Sequence, residues 1–348
     1  MKMMTEKIKR GGALAAACML LFLAAAPREA YGAAAVDTEK ADCSMEFSIG
    51  NDFGESGSLS VQAAVYRIAS VTVSGAYEAE DGYGGVGLDG VSSTTTAADW
   101  EAMAEKAAQA AAPGALDEDG RIAVQELPAG SRTPDREVTV SGGEKTALTD
   151  LQTGMYLVLA FSADTPEYTY SFAPYLVSVP GNRYRNGGSD EWVYDVEVTL
   201  KPDRTERFGS LRITKRLDSY HTGDGAPFIF QVEARKTVDG VQTTVYSDVV
   251  RLAFDAPGEK SVLIENRIPA GATVTVTEIY KGAAYEADGS DVQTVQVSAA
   301  GTAAAGFIND YNEQLNGGTS IVNNFRPVLA EGADGEETVQ NWDWNRIP

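Results

Sequence analysis

One lysine constrains this chain more than any other residue. In the stretch Gly209 to Leu217, GSLRITKRL, the period of two imposed by a strand places Leu211, Ile213, Lys215 and Leu217 on one face and Arg212, Thr214 and Arg216 on the other. An unpaired ammonium in an apolar row is too costly to leave alone, so the rest of the chain must give Lys215 something to meet. Two later stretches do so. VTVTEIY aligns Val274, Val276, Glu278 and Tyr280, and GFINDY aligns Phe307, Asn309 and Tyr311. Each carries one polar group in an otherwise apolar row, and the three odd residues are Lys, Glu and Asn.

In that order and context, GSLRITKRL, PAGATVTVTEIY and GFINDY resemble the B-type immunoglobulin-like modules of Gram-positive collagen adhesins and pilins. The resemblance implies a spontaneous isopeptide bond, with Lys215 as nucleophile, Asn309 as acceptor and Glu278 as the catalytic acid. The chemistry is consistent. Burial disfavours the charged form of both Lys and Glu, which leaves a neutral amine able to attack and a protonated carboxyl able to polarise the amide. Holding the groups in contact replaces an external catalyst. The plainer alternative is a buried Lys215–Glu278 ion pair with Asn309 only hydrogen-bonded to it. A second Asn-bearing stretch, TSIVNNF, offers Asn323 or Asn324 as acceptor, but Asn309 is favoured because Phe307 and Tyr311 flank it in its apolar row.

At 348 residues the chain has room for two domains, and abundant Gly, Val and Thr with frequent turn signals argues for an all-β class. The expected architecture is two tandem immunoglobulin-like β-sandwich domains, the first with one inserted α-helix. Residues 1–35 read as a secretory signal: Lys2, Lys7, Lys9 and Arg10 precede the apolar run Ala13 to Ala26, and small residues follow through Ala35. The protein is thus expected to be secreted and extracellular, at the cell surface or in a pilus. Residues 36–203 form the expected first domain, 209–327 the second, and 328–348 an acidic C-terminal tail.

The formal net charge is −22, and removal of residues 1–35 takes it to about −25. Nucleic acid and anionic membrane are poor partners for such a surface. Cys43 is the one cysteine beyond the signal, so no internal disulfide is available, and an amide cross-link would fill that role. Cys43 itself reads as a small, partly buried residue. The single histidine, His221, lies in a loop-like stretch; no His/Cys cluster suits a metal and no Gly-rich phosphate loop follows a strand into a helix. The sequence therefore points away from an enzyme, apart from its own cross-linking, and implies no cofactor.

Within the first domain, SMEFSIG and SLSVQAAVYRIASVTV are expected to open as a strand pair. Thr96 with Asp99 caps a helix whose stripe is Trp100, Met103, Ala104, Ala107, Ala108 and Ala111, ended by Pro113-Gly114. Strands follow at IAVQEL, REVTVSG, TALTDL, GMYLVLAFS, YSFAPYLVSVP and EWVYDVEVTLKP. This half resembles the N-terminal domain of sortase-assembled pilin subunits, whose pilin motif reads WxxxVxVYPK. Trp192, Val196, Val198 and Lys201 fall at the motif spacing, while Thr199 and Leu200 replace its Tyr-Pro. The resemblance implies that Lys201 is the intersubunit link and that other pilus or cell-wall proteins, with a sortase, are partners. Alternation sends Trp192, Tyr194, Val196, Val198 and Leu200 inward and Lys201 outward.

The segment Tyr156–Ala160 has an alanine where the family carries an acid, and Arg67 stays protonated, so no cross-link is expected in the first domain. The tail shows no LPxTG-like signal, which conflicts with a backbone pilin and leaves an accessory component held by its neighbours, a released protein, or anchoring through the tail itself. The competing function is an adhesin that presents a surface for a host matrix protein or glycan on the first domain, with the second domain as stalk.

Overall fold

The computed structural model describes residues 35–50, 59–92, 94–182, 191–222, 225–238, 240–313, 322–331 and 337–347. The expected signal, bar Ala35, lies outside them. The chain forms two compact units, 1–165 with 169–205, and 166–168 with 206–348. Both are built from strands, and the described residues contain one α-helix.

The first segment of the chain contributes β1 (Cys43–Ile49), β2 (Ser60–Val71), β3 (Tyr77–Ala79), α1 (Ala97–Ala111), β4 (Arg136–Ser141), β5 (Thr146–Leu151) and β6 (Gly154–Ala160). It continues with the short β7 (Ala163–Asp164) and β8 (Tyr168–Ser171), β9 (Tyr175–Val179), the short β10 (Gly181–Asn182) and β11 (Trp192–Val193), β12 (Asp195–Leu200) and β13 (Asp203–Glu206). One sheet runs β3-β2-β6-β9 with β4 also on β2; another runs β12-β1-β5. β6, GMYLVLA, is buried at every position, so it is covered on both faces. Helix α1 covers one: its Trp100, Ala104, Ala107, Ala108 and Ala111 share a core with Tyr66, Met155, Leu157 and Leu159. Small residues on the helix allow that close approach. The helix begins at a capping box, in which the Asp99 amide donates to the Thr96 hydroxyl at 3.3 Å and the Thr96 amide donates to the Asp99 carboxylate at 2.8 Å.

Three local expectations need correction. The segments expected to open as a strand pair lie in different sheets, because β1 pairs with β5 and β12 while β2 pairs with β3, β4 and β6. IAVQEL is not a strand; Ile122 alone makes bridges, to Leu116 and Phe172, and is fully buried. The third correction concerns the C-terminal segment. β22 (Val322–Glu331) and β23 (Glu337–Ile347) form an antiparallel two-stranded sheet, so Val328 lies inside a strand and not at the start of a tail.

The second unit holds β14 (Phe208–Leu217), β15 (Ala226–Val238), β16 (Val241–Phe254), β17 (Gly258–Pro269), β18 (Thr273–Tyr280), β19 (Tyr285–Ala287), β20 (Val292–Gln296) and β21 (Thr302–Tyr311). Two four-stranded sheets, β17-β14-β21-β19 and β16-β15-β18-β20, meet in one core. Leu211, Ile213, Ala305 and Phe307 come from the first, and Phe228, Phe230, Val232, Val274 and Val276 from the second, each set at strand spacing. Gly209 is required where β14 enters, since a Cβ there would lie 2.2 Å from the Ser298 carbonyl oxygen.

Both units close the same way. The first strand of each lies parallel to a late strand of the same unit: β1 beside β12, with Phe47 opposite Val198, and β14 beside β21, with Lys215 opposite Phe307 and Leu217 opposite Asn309. At the closing pair of the first unit the buried residues are Cys43, Met45, Phe47, Ile49, Val196, Val198 and Leu200, with no amine, carboxyl or carboxamide among them. Among the described residues, only the second unit buries an amine and a carboxamide on that strand pair.

Candidate functional site: a buried Lys, Glu and Asn between two sheets

Lys215 projects from β14, a central strand of its sheet, because the alternation that buries Leu211, Ile213 and Leu217 leaves it no other direction. Asn309 projects from the adjacent parallel strand β21, two register positions further along than the residue opposite Lys215. Glu278 comes from β18, central in the facing sheet, on the row that buries Val274 and Val276. The three are thus delivered from both layers of the sandwich into one place. The side chains of Lys215 and Glu278 are 0% exposed, and Asn309 is equally buried.

Lys215 Nζ lies 2.8 Å from Glu278 Oε1. The approach is off the hydrogen-bond direction, and Nζ has no directed acceptor. Asn309 Nδ2 donates to the same Oε1 at 3.3 Å. Glu278 Oε2 and Asn309 Oδ1 have no hydrogen-bond partner. A satisfied structural network would pair these atoms, so this cluster bears the cost of burial without full compensation. Aromatic rings wall it: Lys215 Nζ stands 4.7 Å from the centroid of Phe228, which packs edge-on to Phe254 and against Tyr285. The alternation in PFIFQVEAR held a signal for Phe228 that sequence reasoning did not use.

Burial dominates the protonation of both groups. Desolvation pushes the Lys215 amine below its ordinary 10.5, against the pull of the neighbouring carboxylate. Desolvation pushes the Glu278 carboxyl above its ordinary 4.5, against the pull of the Lys215 ammonium. The neutral pair, amine and carboxylic acid, differs from the ion pair by one proton moved across the 2.8 Å contact. Glu278 is further fixed by its backbone amide, which donates to the Asp291 carbonyl at 2.8 Å, and Asp291 is ion-paired with Lys281.

Asn323 and Asn324 lie on β22, which among the described residues pairs only with β23, whereas Asn309 is on the strand hydrogen-bonded to β14. The geometry brings together Lys215, Glu278 and Asn309. Cys43 is fully buried, and burial lifts its thiol to about 11. Arg67 is occupied by the Thr153 carbonyl and Glu80. His221 stacks on Tyr311 with centroids 4.2 Å apart. Among the described residues, no group of three or more His, Cys, Asp or Glu is placed to hold a metal ion, and no helix is long and apolar enough to cross a membrane.

The pilin-motif residues lie together in the first unit. Val196 and Val198 are buried on β12, and Trp192 packs partly buried against the helix-covered core. Lys201 differs from expectation. β12 ends at Leu200, so the alternation no longer applies, and Lys201 is half-buried where an outward, solvated lysine was expected. Its backbone amide donates to the Tyr175 hydroxyl at 2.7 Å, and it lines a cleft of about 180 Å³ between β9 and β12. Glu101 and Glu105 of α1, Asp119, Arg121 and Glu197 also line it.

The sequence matches no family model, and no curated protein matches it. Solved structures similar to the chain include the minor pilin GBS52 of Streptococcus agalactiae, at 12% identity and TM-score 0.22, with 80% of this chain and 100% of that one covered. The major pilin SpaD of Corynebacterium diphtheriae is similar at 12% identity and TM-score 0.26, again over 80% and 100%. The TIE protein of Bacillus anthracis is similar at 12% and 0.29, over 89% of this chain and 44% of that one.

Proposed function

We propose that this chain is an exported structural subunit of a bacterial surface fibre, pilin-like or accessory to a pilus, whose second unit is closed by an isopeptide bond between Lys215 and Asn309. The observation that carries the reading is the buried trio: an amine, a carboxyl and a carboxamide meet in an apolar, aromatic-walled site, with unsatisfied atoms on all three.

In the proposed reaction the neutral Lys215 amine attacks Asn309 Cγ. Glu278, protonated, donates to Oδ1 as the tetrahedral centre forms, takes the proton released from Nζ and passes it to the departing Nδ2, and recovers the Oδ1 proton as the carbonyl re-forms. One C–N bond forms, one breaks, and ammonia leaves. The protein supplies the contact distance and the low-dielectric surroundings.

The placement of the bond supports a structural role. It would tie the first strand of the unit to the strand that closes its sandwich, so tension entering by β14 and leaving beyond β21 would pass through a covalent link and not through the ladder between them. Lys201 belongs to the same reading as the amine that accepts a neighbouring subunit, because it lines an open cleft. A tryptic digest tests the central bond. A branched peptide joining the β14 and β21 sequences through Lys215 and Asn309 is expected; separate linear peptides with both residues unmodified would refute it.

A further inference from the structure

Glu278 sits where β18 departs from regular pairing. Against β15 the register runs Val232 opposite Val276, Gln231 opposite Thr277 and Phe230 opposite Glu278, but the next residue of β15, Ile229, faces Tyr280. Ile279 is therefore the extra residue of a β-bulge, and it is exposed. A bulge bends its strand and re-aims the side chains beside it, so the direction of the Glu278 carboxyl depends on how the bulge is held. On the other side of β18 the ladder to β20 ends at Thr277 and Val292. Regular pairing thus stops one residue short of the acid.

Asp291 takes over where that ladder ends. Its carbonyl accepts from the Glu278 amide at 2.8 Å, before the bulge. Its carboxylate accepts from Lys281 Nζ through both oxygens, at 3.1 and 2.8 Å, after the bulge. One residue thereby grips β18 at 278 and at 281, on either side of Ile279. The ion pair is partly exposed, with the Lys281 and Asp291 side chains 35% and 42% accessible, so it adds little to folding stability. Its effect on the reaction is larger, because Glu278 Oε1 must meet Lys215 Nζ at 2.8 Å and Asn309 Nδ2 at 3.3 Å together. A misplacement of about 1 Å in such a contact can cost on the order of 100-fold in rate. Charge acts at the same place: burial raises the Glu278 carboxyl most, the Lys215 and Asn309 contacts oppose it, and the Asp291 carboxylate adds to the rise.

We propose that the Lys281–Asp291 pair is a positioning clamp for the cross-linking reaction, holding the bulge at Ile279 so that the Glu278 carboxyl is aimed at Lys215 and Asn309 at once. Neither residue of the pair touches the reacting atoms; both act through Glu278. The inference rests on the isopeptide reading and assigns that reaction two residues outside the buried trio.

The test follows ammonia loss by intact mass after a short pulse of cell-free synthesis of the chain from residue 36 onward. Lys281→Met and Asp291→Asn should each slow the loss by on the order of 10- to 100-fold. The reversed pair, Lys281→Asp with Asp291→Lys, should recover most of the lost rate, because a clamp holds with either polarity whereas an effect of charge on Glu278 would change sign. Folding is read separately: with Asn309→Ala added, so that no bond can form, the urea midpoint should be the same with and without Asp291→Asn. A wild-type chain that keeps its full sequence mass would refute the isopeptide reading itself. Where the wild type does lose ammonia, three results would each overturn the clamp alone: single variants that react at the wild-type rate, a reversed pair as slow as the single variants, or a urea midpoint that falls with Asp291→Asn in the Asn309→Ala background.

Discussion

Lys215 and Asn309 stand on adjacent parallel strands, two register positions apart, in the centre of one sheet of the second sandwich. Glu278 reaches both from the opposite sheet, 2.8 Å from Nζ and 3.3 Å from Nδ2. Any account of the unit must explain why a core made otherwise of Leu, Ile, Val and Phe contains this cluster. The proposed covalent bond would account for it, since that reaction consumes the amine and needs the acid buried.

The acid should be separable from the fold. Glu278→Ala is expected to keep the sequence mass, because Lys215 and Asn309 remain but the proton carrier is gone. The loop closed by the bond is on the order of 100 residues, so loss of the link should lower unfolding free energy by about 4–5 kcal/mol in the chain-entropy model. Intact mass and denaturant midpoint check both parts. A Glu278→Ala protein that still loses ammonia would remove the acid from the mechanism.

Removing one charge should hurt more than removing two. Glu278→Ala leaves a buried ammonium without its counter-charge, a cost of about 3–5 kcal/mol in comparable sites, while replacing both members by apolar residues is often neutral. The double variant Lys215→Met/Glu278→Leu should therefore be more stable than Glu278→Ala, although neither can cross-link. Comparison of their urea midpoints decides it.

Protonation gives a signature in a variant that keeps the pair but lacks the acceptor. In Asn309→Ala the raised Glu278 pKa means that stability falls as pH rises above 4.5, through the folded value, since the folded state holds that proton longer than the unfolded chain. The lowered Lys215 pKa works in the other sense, with stability recovering as pH rises from its folded value towards 10.5. Melting temperature against pH should show a minimum between those limits. The cross-linked protein, whose Lys215 no longer titrates, should lack the recovery on the alkaline side.

Cys43 and the two lysines can be read by chemical labelling. With its thiol buried and lifted to about 11, Cys43 should resist a thiol reagent at neutral pH until the first unit unfolds. An amine-acylating reagent should label Lys201, which lines an open cleft, and spare Lys215, which is fully enclosed. Labelling of Lys215 in the native protein would contradict its burial and its use in a bond.

Much of the second unit was legible because alternation is unambiguous there. Lys215, Glu278 and Asn309 each interrupt an apolar row, and an interruption is visible where one face is buried. The cap Thr96–Asp99 was readable for a similar reason, since the signal is local. Pairing was not. That β1 joins β12 and β5, and not the β2 strand that follows it, depends on contacts distant in sequence. Lys201 was misplaced because the period-two rule was carried one residue past the end of β12. The ribbon at the C-terminus was missed because its acidic composition resembles a tail, and composition does not report strand pairing.

The most direct measurement is the intact mass of the second unit, expressed from residue 206 onward. The account predicts a mass short of the sequence value by one ammonia, with the full sequence mass restored in Asn309→Ala after allowance for the substitution. A wild-type protein at its full sequence mass would contradict the cross-link and leave the trio as a buried ion pair.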